Sequence, residues 1–183
     1  MKNRIIIIVV LAATIISCNQ KNNQEKTVKM DTASEVVAQS AFSTDKIVKN
    51  YLAIKNTLAN DDSDAAADAG KALRETIAKT DMEKVSADQM QAYMSIAEDA
   101  KEHAEHIGDN AGKIDHQREH FVLLSKDMND LITTFGTNQK LYLDFCPMAD
   151  DNKGAVWISE TKEITNPYFG KDMATCGSIK KEF

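Results

Sequence analysis

Hydrophobic residues in the middle of the chain recur every three or four positions, which is the period of an α-helix. Stretches of this kind span residues 44–58, 64–79, 86–107 and 114–135. In the first stretch the apolar positions are Ile47, Tyr51, Ile54 and Leu58. An apolar stripe along one side of a helix needs a partner that buries it. The pattern therefore predicts four helices that pack against one another.

Short polar or glycine-containing segments separate these stretches. The acidic run at 60–64 ends the first helix and caps the second, and Ser86 is expected to open the third. Residues 108–112 form the turn between the third and fourth helices, and Gly136 ends the fourth. Helices joined by short connections lie antiparallel to their neighbours. We therefore predict a mainly α fold, with an up-and-down four-helix bundle over residues 43–136.

The helical period stops after Gly136. Residues 141–145 alternate between apolar and polar, and residues 155–158 are rich in strand-forming side chains. A turn-forming run at 150–154 lies between them. This pattern predicts a short β-hairpin followed by a mostly irregular segment. Because such a tail cannot bury itself, residues 137–183 are expected to pack on the bundle and to complete the same domain.

The first residues resemble an export signal rather than part of the fold. Lys2 and Arg4 are followed by an apolar run from Ile5 to Ala13, too short to span a bilayer with its polar flanks. A small residue then precedes Cys18, as in a bacterial lipobox. We predict a lipoprotein signal peptide over residues 1–17 and lipid attachment at Cys18. An ordinary signal peptide and an uncleaved anchor helix are the alternatives.

The segment after the signal is polar, and residues 18–42 are predicted to be a flexible tether between lipid and bundle. The domain is thus expected in the cell envelope, on the outer membrane facing the periplasm, with the lipid as its only membrane contact. The formal net charge of −6 becomes −8 without Lys2 and Arg4, and no basic run indicates a nucleic-acid partner. Neither a phosphate-binding glycine loop nor a Gly-x-Ser-x-Gly motif occurs, so we predict that the chain is not an enzyme.

All four histidines of the chain fall within eighteen residues. His103 and His106 lie about 60° apart on the third helix, and His116 and His120 about 40° apart on the fourth, so each pair shares a face. The short turn places both pairs at nearly the same height, within side-chain reach. Imidazoles bind borderline transition metals, zinc among them. Incidental solvated histidines are the alternative.

The tail supplies soft donors. Cys146-Pro147-Met148 is matched further on by Met173 and Cys176. Thiolate and thioether sulfurs together favour Cu(I). In an oxidising compartment, however, two thiols commonly form a disulfide that stabilises an irregular segment. On local chemistry alone both interpretations stay open.

Several motifs resemble one bacterial domain family, the domain of unknown function numbered 3347, found in envelope lipoproteins. The similar stretches include Asp144–Ala149, Asn166–Gly170, Thr175–Gly177 and His116–Phe121. The resemblance covers about residues 45–180. Similar domains are fused to periplasmic adaptor subunits of heavy-metal efflux pumps. The resemblance therefore implies a helical envelope domain linked to copper handling.

Together these observations give the following hypothesis. The protein is an envelope lipoprotein that binds a soft metal, most favourably Cu(I), and buffers it or delivers it to heavy-metal efflux components. The soft ligands would be Cys146, Met148, Met173 and Cys176. The histidines would form a second site, or part of the same site if the tail folds back over the last two helices. The alternative is a non-metal interaction module in which Cys146 and Cys176 form a disulfide.

Overall fold

The computed structural model describes residues 42–183. These residues form four long α-helices followed by a small three-stranded antiparallel sheet, which confirms the mainly helical prediction. The elements are α1 (Asp45–Ala59), α2 (Ser63–Ala78), α3 (Met90–Asp109), α4 (Ile114–Phe135), β1 (Tyr142–Cys146), β2 (Ala155–Ser159) and β3 (Ser178–Glu182). The predictions for residues 1–17 and Cys18, and nearly all of the predicted tether, lie outside the described residues.

Each helix packs against the helix that follows it, and α1 also contacts α4. The apolar stripes seen in the sequence form the core between them. Its fully buried members include Tyr51, Ile54, Leu58, Leu73, Ile107, Phe121, Leu124, Met128 and Leu131. The predicted up-and-down order of the four helices stays a prediction. Among residues 42–183, no helix combines the length and the apolar character that crossing a membrane requires.

Helices α2 and α3 approach each other unusually closely because glycine and alanine line their contact. A Cβ atom on Gly70 would lie 2.8 Å from the carbonyl oxygen of Ala104 and 2.9 Å from the backbone nitrogen of Gly108. Both atoms belong to the α3 backbone, so they have little freedom to move aside. The α2 surface therefore fixes the position of the C-terminal half of α3, where two of the histidines lie.

The third helix begins at Met90, four residues later than the predicted start at Ser86. The Ser86 hydroxyl bonds the side-chain oxygen of Gln89 at 2.9 Å instead of capping a helix, and residues 87–89 form a turn. Val85 is buried immediately before this turn. Val85 is thus packed into the core, the chain bends after it, and the helix begins only beyond this bend.

The predicted hairpin is present, because β1 pairs antiparallel with β2. Between them, Asp150, Asp151 and Asn152 have φ values of 52°, 54° and 65°, a run of left-handed residues that reverses the chain. The sheet has the order β2-β1-β3, so β1 is its central strand. It packs on the bundle through β2, which contacts both α1 and α4.

Strand β3 corrects the prediction that the end of the chain is irregular. It pairs antiparallel with β1, with Phe145 opposite Ser178 and Tyr142 opposite Glu182. Every residue of β3 is exposed. It therefore lacks the apolar alternation by which a strand is recognised in sequence, and it forms through the free backbone edge of β1.

Candidate metal centre

The four histidines meet where the end of α3 faces the start of α4. The ring centroids of His106 and His120 lie 4.1 Å apart with nearly parallel planes, and those of His116 and His120 lie 4.7 Å apart. One ring nitrogen from each of these three residues lies within 4.8 Å of the other two. We call His106, His116 and His120 the histidine cluster. The three nitrogens are close enough to share one cation once the His106 ring, which is stacked on His120, turns its nitrogen toward it.

Local hydrogen bonds hold the two helix ends in register. The Asn110 side chain donates to the carbonyl oxygen of His106 at 2.8 Å and so caps α3. Gln117 is fully buried and donates to the carbonyl oxygens of Ile107 at 3.1 Å and Ser63 at 2.9 Å. It thereby ties the first turn of α4 to the last turn of α3 and to the start of α2. The histidine backbones are positioned by this network before any ligand binds.

His103 lies beside the histidine cluster and contacts His120. Its Nδ1 is 3.3 Å from Nδ1 of His120, and its Nε2 is 4.0 Å from a carboxylate oxygen of Asp127. Its side chain is 16% exposed. The structure thus brings all four histidines together, as their spacing predicts, with three at the cluster and His103 behind His120.

Burial and crowding favour the neutral form of His120 and His103. The pKa of His120 is lowered to about 4, chiefly by burial and then by the neighbouring His106, His116 and His103. Burial also lowers the pKa of His103. Metal ions bind the neutral imidazole, so protons do not compete for His120 at neutral pH. Glu119 contacts His116 Nδ1 at 3.2 Å, which leaves Nε2 of His116 free for a metal.

Asp127 was not among the candidate residues found in the sequence. Its Oδ2 atom is buried and has no hydrogen-bond partner. Its pKa is raised to about 7, first by burial and then by the charges of Asp99 and Asp130. The available signal was its spacing: Asp127 follows His120 by seven residues, two helical turns along the same face.

The two tail cysteines contact each other. Cys146 ends β1 and is fully buried, and its Sγ lies 2.6 Å from Sγ of the half-buried Cys176. Two thiolates on one tetrahedral ion would stand about 3.8 Å apart, given metal–sulfur bonds of about 2.3 Å. The contact with Cys146, together with burial, raises the pKa of the Cys176 thiol to about 11. The pair is therefore aligned for a disulfide more closely than for a shared metal.

The methionines predicted as ligands lie in different surroundings. Met148 is 46% exposed and lines a surface groove beside Asp115 and Glu119 of α4. Met173 is half-buried at the end of a 3-10 turn. Among the His, Cys, Asp and Glu side chains of residues 42–183, the set of three or more whose possible ligand atoms lie within 4.8 Å of one another is the histidine cluster. The tail cysteines are not part of it.

A second buried charge lies on the same side of β1 as Cys146. Asp144 is fully buried, and neither of its carboxylate oxygens has a hydrogen-bond partner. Burial raises its pKa to about 6, although the positive charge of Lys55 opposes this shift. The Lys55 ammonium is itself buried and bonds Glu160 at 2.9 Å. Alternation with Tyr142 and Cys146 on the core side of the strand was the signal for this residue.

The tail is fastened to the bundle close to the histidines. The Arg118 side chain lies between them in sequence and donates to the carbonyl oxygens of Pro167 at 2.9 Å and Leu58 at 3.0 Å. It also pairs with Asp61 at 2.6 Å, which lowers the pKa of that carboxyl. Arg118 therefore joins α4, the α1–α2 turn and the tail.

A family model described as "Protein of unknown function (DUF3347)" matches residues 47–140, just over half of the chain. The matched region contains α2, α3, α4, all but the first two residues of α1, and all four histidines, and it ends before Cys146 and Cys176. Comparisons with curated proteins and with solved structures find no match.

Proposed function

We propose a metal-binding function for this chain, which belongs to the DUF3347 family of proteins of unknown function. The observation that carries the proposal is the histidine cluster, in which nitrogens of His106, His116 and His120 lie within 4.8 Å of one another. Three imidazoles gathered in this way offer a ligand set for a borderline transition metal. A fourth position remains for water or for a donor from a partner.

Copper is the metal that we propose, with zinc as its competitor. Nitrogen-donor sites bind divalent copper more tightly than the other divalent ions of the first transition row. Imidazole also binds Cu(I), the ion expected from the tail sulfurs. The proposed role is to buffer the metal in the cell envelope or to deliver it to heavy-metal efflux components, with attachment through a lipid on Cys18. The exposure of His106 supports exchange with a partner, because the ion would be reachable from solvent.

The test is a titration of the purified chain with Cu(II), Cu(I) and Zn²⁺ in three forms. These are the wild type, a His106→Ala/His116→Ala/His120→Ala variant, and a Cys146→Ser/Cys176→Ser variant as the matched control. We expect one tightly bound ion per chain in the wild type and the cysteine variant, and loss of this ion in the histidine variant. Binding that survives in the histidine variant and disappears in the cysteine variant would overturn the site and favour the Cu(I) set of Cys146, Met148, Met173 and Cys176.

A second candidate function concerns the tail. The 2.6 Å contact between the cysteine sulfurs supports a Cys146–Cys176 disulfide, which is the pairing expected if the chain is a non-metal interaction module. The disulfide and the histidine site are compatible, because the sulfurs are not part of the histidine cluster. Absence of stoichiometric metal binding in the wild type, together with fully oxidised cysteines, would leave the interaction module as the better proposal.

A further inference from the structure

A succession of contacts leads from His120 of the histidine cluster through His103 to Asp127. The first step joins the Nδ1 atoms of the two histidines at 3.3 Å, and the second joins Nε2 of His103 to the Asp127 carboxylate at 4.0 Å. We infer that His103 and Asp127 are positioning residues that orient His120 and hold its metal-binding tautomer. This inference rests on the proposed metal site.

The positions of the imidazole protons distinguish two arrangements of His120, His103 and Asp127, of which one leaves His120 able to bind a metal. Two lone pairs facing each other at 3.3 Å repel, so an N–H group lies between the two Nδ1 atoms. If His120 is the donor, its Nε2 carries a free lone pair for a metal. His103 then accepts at Nδ1 and carries its own proton on Nε2, directed at Asp127. If His103 were the donor, Nε2 of His120 would be protonated and unable to bind a metal. Nε2 of His103 would then present a lone pair to a carboxylate.

Asp127 is placed to favour the first arrangement. Ionised Asp127 presents a buried Oδ2 atom that has no hydrogen-bond partner, so the carboxylate is an acceptor without a donor. Its side chain and that of His103 are 18% and 16% exposed, which limits competition from water. A shift of about 1 Å would bring the contact into hydrogen-bonding range. Ligand histidines usually donate their second N–H to such a partner, and loss of that partner typically weakens metal binding about 10- to 100-fold.

The experiment compares Asp127→Leu, which removes the acceptor at similar volume, with Asp130→Leu, which changes an exposed carboxylate one turn further along α4. Zn²⁺ affinity of the full chain is measured by competition with a chromophoric chelator. We expect binding about 10- to 100-fold weaker in the Asp127 variant at unchanged stoichiometry, and binding close to wild type in the Asp130 variant. Asp127→Asn keeps an acceptor oxygen and should recover part of the loss.

A second measurement does not depend on metal. Long-range ¹H–¹⁵N spectra of the metal-free chain report which nitrogen of His103 is protonated. We expect the Nε2–H form in the wild type and a shift toward Nδ1–H in Asp127→Leu. The Nδ1–H form in the wild type, or equal zinc affinity in Asp127→Leu and wild type, would overturn the inference. A wild type that binds no metal but keeps the Nε2–H form would overturn the proposed function and leave the positioning contact standing.

Discussion

Two buried carboxylates, Asp127 and Asp144, lie where few donors reach them. An ionised carboxylate in such a position loses hydration, so its protonated form is favoured. The pKa of Asp127 is raised to about 7 and that of Asp144 to about 6. Asp127 faces the histidines, whereas Asp144 lies in the interior beside the tail. The cost of burying Asp144 should therefore be visible in stability alone.

We expect Asp144→Asn to stabilise the protein at neutral pH. The pKa of Asp144 is raised in the folded state from 3.8 to about 6, so its contribution to stability is fully present below about pH 4 and is lost as pH rises through about 6. That loss amounts to about 3 kcal/mol. Urea unfolding of the variant and the wild type should thus differ most at pH 7–8 and converge near pH 4.

The matched control for this prediction is Asp151→Asn, a neighbouring acidic residue that is exposed. It should change the free energy of unfolding little across the same pH range. A constant difference between Asp144→Asn and wild type from pH 4 to pH 8 would show that folding does not raise the pKa of Asp144.

How closely each helix matches its predicted bounds depends on the strength of its local sequence signals. α1, α2 and α4 lie within about two residues of their predicted bounds because each carries an apolar stripe and polar or glycine residues at its ends. The predicted start of α3 was wrong because the burial of Val85 depends on tertiary packing, which no local sequence signal reports. β3 was missed because its side chains are exposed and its stability comes from the backbone of β1.

The contact between α2 and α3 gives a prediction at the scale of whole elements. Gly70→Ala should destabilise the protein by about 1–3 kcal/mol, because the new methyl group meets the α3 backbone at Ala104 and Gly108. Thermal unfolding measures this change. Gly108→Ala is the comparison, since its Cβ would lie 3.0 Å from Cγ and 3.2 Å from the backbone nitrogen of Lys71, both longer than the Gly70 contacts, and a smaller loss is expected. A Gly70→Ala variant as stable as wild type would mean that the two helices can separate freely.

Across the whole molecule, bundle and tail are joined by a few specific contacts. Arg118 binds the tail at Pro167, and the Tyr51 hydroxyl accepts a hydrogen bond from the backbone N–H of Ile158 at 3.0 Å. The sequence predicted that the tail packs on the bundle, and it predicted each cysteine as a candidate. It gave no basis for choosing between shared metal and disulfide, because that choice depends on a distance between residues 30 positions apart.

Oxidation of Cys146 and Cys176 should stabilise the chain by about 3–4 kcal/mol, since the bond closes a loop of 30 residues. Denaturant unfolding with and without reductant measures the difference. The Cys146→Ser/Cys176→Ser variant should be insensitive to reductant. Zinc binding by the histidine cluster should stay unchanged in both redox states, and a metal affinity that follows the thiol state would tie the two sites together.

The exposed strand β3 bears on whether neighbouring copies of this chain aggregate. An outermost strand offers unpaired backbone groups to any other strand, which is the usual start of aggregation. Here the last residues of β3 are Lys180, Lys181 and Glu182, all in contact with water. A neighbouring chain that added a strand at this edge would have to strip water from two ammonium groups and a carboxylate. These charged side chains thus oppose the joining of neighbouring molecules into a continuous sheet.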